Sequence, residues 1–267
     1  MRTFRKILKI NMLEEMHYKM AFVSGIICQF AFGFLYIILY NAFFESGIPQ
    51  KFDIYQTSSY LWLQQAFFAI FCYSDANRFK ITNKILNGDV CYQLLKPINL
   101  YDYWLYENIS RSASMASLRC LPIIVVSLLL PSTYKLSLPI SLGAFLLFLI
   151  SLLLGLVLIS EIKMFAYIAI LYTLDAKGVF ALVVSVCTLL SGGVIPVPLM
   201  PEVLQKILNF MPFRYASDLP FRIYIGDFSI NEGLIQMGIQ ILWIVLLFIF
   251  GRLALNHKSK KLVVQGG

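Results

Sequence analysis

Glu161 and Lys163 are the sharpest chemical pair in the chain, a carboxylate and an ammonium inside the apolar run LISLLLGLVLISEIKMFAYIAIL. An ionisable group in hydrocarbon is costly unless paired or wet, which makes Glu161 a candidate functional residue. Two residues apart, the pair points to different faces of a helix. Either each finds its own partner, or the span ends here and 164–174 continues it as a wet extension. Gln29, Gln64 and Gln65 are uncharged polar groups in other apolar runs. Such residues line a polar path or tie helices together by hydrogen bonds. With Glu161 they form the candidate set for a translocation path.

Other chemistries find little support. The two histidines, His17 and His257, stand at opposite ends of the chain. The five cysteines, Cys28, Cys72, Cys91, Cys120 and Cys187, make no C-x-x-C pair and read as small apolar residues. Neither a metal site nor a clustered catalytic constellation is expected. There is no G-x-x-x-x-G-K-[ST] loop, and not even a Gly-Lys dipeptide. The chain therefore lacks the usual cradle for nucleotide phosphates.

The elements that must position these residues are membrane spans. Of 267 residues, 59% are hydrophobic and 13% are charged, against about 25% charged in a soluble domain. Apolar runs near spanning length recur throughout, so the fold class is an all-α polytopic membrane protein. The spacing predicts six spans, near 20–44, 59–73, 111–130, 138–174, 179–190 and 234–250. The whole chain, 1–267, is then a single transmembrane domain. The net charge of +8 comes from basic residues flanking the spans. That pattern determines topology and speaks against a nucleic-acid partner. Sixteen of the 22 lysines and arginines fall on the side that holds both termini, which places the termini in the cytoplasm of a bacterial-type plasma membrane.

Three segments lie outside the spans. In 1–19, Arg2, Arg5, Lys6 and Lys9 oppose Phe4, Ile7 and Leu8 on a helical wheel, the pattern of a helix in the cytoplasmic interface. The stretch 77–100 is the longest cytoplasmic loop, and ITNKILNGD within it reads as a short helix stopped near Gly88. The segment 192–230 combines SGGVIPVP, a bend, with a helix at 201–210. There Val203, Leu204, Ile207, Leu208 and Met211 oppose Glu202, Gln205, Lys206 and Asn209. Too short to cross, this helix is expected at the outer membrane surface. MPFRYASDLPFRIYIG then reads as a second bend returning to span six.

SGGVIPVPLMPEVLQKILNFMPF followed by LPFRIYIG resembles the permease subunits of type-two ATP-binding-cassette exporters. So does ITNKILNGDVCYQLLKPINL, with Gly88, Asp89, Leu95, Lys96 and Pro97 matching a loop element of one subgroup. The resemblance covers nearly the whole chain. It implies a re-entrant cap between spans five and six, and a coupling helix seated on a separate cytoplasmic ATPase through Ile81, Lys84, Ile85, Leu86 and Asp89. It implies a second permease subunit, identical or homologous, around a shared path in membrane lipid. It implies no cofactor on this chain, with ATP and magnesium held by the ATPase. The resemblance does not single out a substrate: a peptide antibiotic, another amphipathic small molecule or a lipid-linked product all fit. The charged Glu161–Lys163 pair departs from the family pattern. The alternative function is an ion-coupled secondary transporter, for which Glu161 is the sole intramembrane carboxylate and no internal repeat is visible.

Overall fold

The computed structural model describes residues 2–45, 52–71, 81–95, 97–131 and 134–259, excepting the side chain of Arg2. Lys51, Cys72, Tyr73, Lys96, positions 77–80 of the expected coupling loop, and the tail lysines Lys260 and Lys261 lie outside the described residues. Every regular element among the described residues is helical: α1 (Arg2–His17), α2 (Lys19–Glu45), α3 (Ile54–Ala66), α4 (Phe68–Phe71), α5 (Ile81–Leu86), α6 (Val90–Leu94), α7 (Leu100–Leu129), α8 (Leu142–Thr173), α9 (Ala176–Leu190), α10 (Glu202–Leu208), α11 (Pro212–Tyr224) and α12 (Ile230–Ser259). A 3-10 turn, Val197–Leu199, precedes α10. Four of them, α2, α7, α8 and α12, are long and apolar enough to cross a membrane. The protein is a helical polytopic membrane protein.

Local chemistry sets the helix ends. Asp53 caps α3 with a full capping box, its carboxylate accepting from the Gln56 amide at 2.6 Å. The helix therefore starts at Ile54, before the expected 59, and breaks at Phe67 into α4. Asn99 caps α7 at Leu100, so the long loop expected up to 111 is already helical over its last turns. Pro122 sits inside α7 without ending it. Ser141 and Asp175 cap α8 and α9. The expected break in the fourth span is absent: α8 runs unbroken through Glu161-Ile162-Lys163 for 32 residues. Those three residues are all buried by neighbouring helices, and packing overrides their polarity. In contrast α9 has only 15 residues, about 22 Å of helix, short of a ~30 Å hydrocarbon core.

The bundle has two apolar cores. One, at the end we call the base, joins Ile81, Ile85, Trp104, Tyr167, Phe180 and Leu255 from α5, α7, α8, α9 and α12. The larger one fills the rest of the bundle around Trp62, Phe148, Ile159, Tyr215 and Phe221. Helix α1 lies along α7: Phe4 meets Tyr106 edge-on, Ile7 is buried, and Arg5, Lys6 and Lys9 are exposed. Its buried face turns polar at one end, where Asn11 donates to Ser110 and Glu15 pairs with Arg111 at 2.7 Å.

The largest departure from expectation is the second bend. It is a helix, α11, buried from Arg214 through Tyr224. Pro212 opens it at a position where a missing N–H costs nothing. Gly155 makes room for it, because a Cβ there would collide with the Ala216 carbonyl oxygen. Helix α10 also differs. Leu208 is buried, but Val203 and Ile207 of its expected apolar stripe are exposed. Gln205 turns inward and donates to the carbonyls of Pro198 and Met200, because the proline-bounded bend leaves those acceptors without a helix to satisfy them.

Candidate translocation cavity and coupling face

One stripe of α3 holds the broken backbone after α9 together with α11. Gln56, Tyr60 and Gln64 stand at i, i+4 and i+8. Gln56 donates to the Ile225 carbonyl, Tyr60 to the Asp218 carboxylate at 2.8 Å, and Gln64 to the carbonyls of Gly192 and Gly193 at 3.1 Å each. Ser217 adds a bond to the Ser191 carbonyl. Irregular backbone inside a membrane protein persists only where its polar groups are satisfied in this way. Gly192, at φ 84, supplies the turn.

Asp218 is fully buried and anchors an ion cluster. Arg214 and Arg222 flank it one turn away on either side, at 3.8 and 3.4 Å, and Arg222 also pairs with Asp227. Two cations and two carboxylates balance, as a buried charge requires. Sequence reasoning missed this cluster, although R-x-x-x-D-x-x-x-R at helical spacing is a visible signal.

Beside α3 lies a cavity of about 410 Å³. It brings together Gln29, Gln64 and Gln65, three of the four expected path residues. The fourth, Glu161, lies elsewhere. Aromatic side chains from α2, α4 and α11, Phe32, Phe68, Phe71 and Phe221 among them, line the cavity, and Thr188 of α9 faces it. The three glutamines differ. Gln64 is committed to the glycine carbonyls, whereas Gln29 is 5% exposed and neither amide atom finds a partner among the described residues. Arg119 of α7 also lines the cavity. Its guanidinium fills the slot left by Gly25, where a Cβ would stand 2.7 Å from Nη1.

Glu161 is 1% exposed at the base, not wet. Tyr101 donates to one carboxylate oxygen, and the other has no hydrogen-bond partner among the described residues. The Tyr101 ring rests on Phe248, and its hydroxyl reaches Gly251 of α12. Lys163 is also buried. Tyr101→Phe is therefore expected to destabilise the protein by about 1–3 kcal/mol, because it strips a buried carboxylate of its donor. Glu161→Gln keeps an acceptor for Tyr101 and is expected to cost less. Thermal unfolding in detergent checks the order; a larger loss in Glu161→Gln would show that the charge itself, not the hydrogen bond, holds the base.

The expected coupling residues divide in two. Ile81 and Ile85 are buried in the protein's own base core, 1% and 4% exposed. Leu86 and Asp89 are exposed, and Lys84 is half-buried. Gly88 ends the turn at φ 78. Continuing outward, Tyr92, Leu94 and Leu95 are 69%, 44% and 82% exposed, beside Leu86 at 44%. Four large apolar side chains thus project from a segment that is not part of any spanning helix. Scattered single apolar residues are ordinary on a surface, but a contiguous patch marks an interaction site.

No group of three His, Cys, Asp or Glu side chains suited to a metal occurs among the described residues. A family model described as "ABC-2 family transporter protein" matches residues 27–266. No curated protein and no solved structure matches the chain. The chain belongs to the ABC-2 transporter family and is a multi-pass membrane permease component of an ABC transporter.

Proposed function

We propose that the chain is the membrane subunit of an ATP-driven exporter, powered by separate cytoplasmic ATPases that bind ATP and magnesium. Two permease subunits, identical or homologous, meet around the path. The match to the transporter family over residues 27–266 carries this reading. The exposed apolar cluster Leu86, Tyr92, Leu94 and Leu95 supports it, because a membrane protein with no nucleotide loop needs a face for its motor. That face sits at the base, on the side that the basic residues assign to the cytoplasm. The cavity holding Gln29, Gln64 and Gln65 is the candidate path, and the bond stripe of α3 ties its wall to α11. An inward push on the base would tilt α7 and α8 against α11, whose seam with α8 leaves no room even for a methyl at Gly155. The cargo is an amphipathic molecule, with a peptide antibiotic as one form. Glu161 stands apart from the cavity, so nothing favours ion-coupled transport over ATP.

Six crossings then require the α9 to α11 segment to enter and leave from the outer side, with α10 at the outer surface. A cysteine replacing the exposed Lys206 is expected to react with an impermeant thiol reagent added outside intact cells. Reaction only after the cells are opened would reverse the topology. Affinity purification of the tagged chain from its own membranes is expected to bring down a soluble protein carrying a G-x-x-x-x-G-K-[ST] loop, and its consistent absence would remove the motor.

A further inference from the structure

Gln29 is out of place in a satisfied bundle. A buried amide without partners costs the desolvation of both its donor and its acceptor. Among the other polar side chains of the lining, Gln64, Tyr60 and Ser217 are bonded to protein. Gln29 instead lines the 410 Å³ cavity. Gly25 lies one helical turn away on the same face of α2, and the guanidinium of Arg119 fills the slot beside it. Arg119 is only loosely neutralised. Its contact to Glu15 is 3.7 Å, while Glu15 is held at 2.7 Å by Arg111, and the Nε of Arg119 has no acceptor. Gln29 and Arg119 together thus carry unused donors on two side chains and one unused acceptor. Phe32, Phe68, Phe71 and Phe221 add an aromatic surface to the same cavity. A small-molecule site has this form: a mostly apolar concavity with a few convergent polar groups.

We propose that this cavity binds an amphipathic ligand whose head presents hydrogen-bond acceptors, a carboxylate or an amide carbonyl, to Gln29 and Arg119, with its apolar body against the four phenylalanines. The donors select against a cationic head, because an ammonium would meet the Arg119 guanidinium. A second groove of similar size, lined by Leu39, Tyr40, Phe43, Val194 and Ile195, adjoins the first at Tyr36, which lines both. Tyr36 of α2 thus stands at the boundary of the two. The proposal rests on the exporter reading only for the origin of the ligand; the site itself is read from the bundle.

The test uses the full-length protein in phosphatidylcholine nanodiscs, without ATPase. Three probes of one chain length carry a carboxylate, an amide or a trimethylammonium head. The carboxylate and amide probes are expected to bind and the trimethylammonium probe is not. Gln29→Leu fills the same volume and is expected to weaken both binders roughly tenfold, the loss of a hydrogen-bonded head. Should Gln29→Leu fail to fold, Gln29→Glu keeps a polar group there and is expected to lose the carboxylate probe while retaining the amide. Equal binding of all three heads, or wild-type affinity in both variants, overturns the proposal. Mass spectrometry of the loaded protein separates the sources of the ligand. A phospholipid retained through ATP turnover with the ATPase added assigns the site to resident lipid, and release on turnover assigns it to cargo; both keep the head-group chemistry. If no ATPase ever couples to the chain, the exporter reading falls while the binding result stands.

Discussion

Leu86→Asp combined with Leu95→Asp is expected to release the ATPase while leaving the permease folded in the membrane. Both side chains project from the base, 44% and 82% exposed, and contribute nothing to the protein's own core. If they anchor a partner, placing two carboxylates in that interface removes the apolar contact and adds a desolvation cost. The expected loss is about 2–4 kcal/mol of association, roughly 30- to 1000-fold in affinity. The measurement is ATPase retained by the tagged permease, alongside the amount of permease in the membrane. The same change at Ile85 would not discriminate. Ile85 is 4% exposed among Ile81, Trp104 and Tyr167, so Ile85→Asp buries a charge inside the permease and disrupts its fold whether or not an ATPase is present. Full retention of the ATPase by the Leu86–Leu95 variant would move the coupling surface elsewhere.

The second large effect belongs to Asp218. Its neutralisation by Asp218→Asn leaves Tyr60 an acceptor but deprives two buried arginines of their shared counter-charge. Arg222 keeps Asp227, so the stranded cation is Arg214. Breaking a buried ion group from one side costs about 3–5 kcal/mol. Tyr60→Phe removes a single bond to the same carboxylate and is expected to cost about 1 kcal/mol. Thermal unfolding in detergent should rank wild type, then Tyr60→Phe, then Asp218→Asn. Removing the stranded charge as well, by Arg214→Met with Asp218→Asn, is expected to recover part of the loss. Equal stability of Asp218→Asn and wild type would mean that the cluster does not hold α11 in place.

The membrane class, the N-terminal amphipathic helix and the long apolar helices were legible because they follow from composition and period. The end of α9 at Leu190 was legible because the apolar run stops there, at Ser191-Gly192-Gly193. Helix starts were misread where the cap lies outside the apolar run, as at Asp53, Asn99 and Asp175. Glu161 and α11 show why the rest was hidden. Glu161 marks a polar break in hydropathy, but α7 and α12 enclose it, and a helix does not stop merely because one residue is costly. The α11 segment carries Arg214, Asp218 and Arg222, which read as loop charges until they are seen neutralising one another at helical spacing. In the cavity, the polar residues Gln29, Gln64 and Gln65 were visible singly. That they meet, and that only Gln64 is committed to the glycine carbonyls, depends on how α2, α3 and the bend after α9 pack. No local period encodes that. Of the expected coupling residues, Ile81 and Ile85 turn inward, because the base core claims them, and the exposed apolar side chains of that segment are Leu86, Tyr92, Leu94 and Leu95.

The central claim is that this chain moves an amphipathic molecule outward using ATP hydrolysed by another protein. Its most direct test is the purified permease reconstituted with its co-purified ATPase in proteoliposomes, with the base and ATPase facing the bath. A labelled amphiphile with a carboxylate head is supplied in the bath, and its appearance in the lumen is followed. The account predicts ATP-dependent accumulation that needs both chains and falls to background with the Leu86→Asp, Leu95→Asp variant. Accumulation without ATP and driven by an imposed ion gradient, or an ATPase that turns over with no movement of any amphiphile, would contradict it.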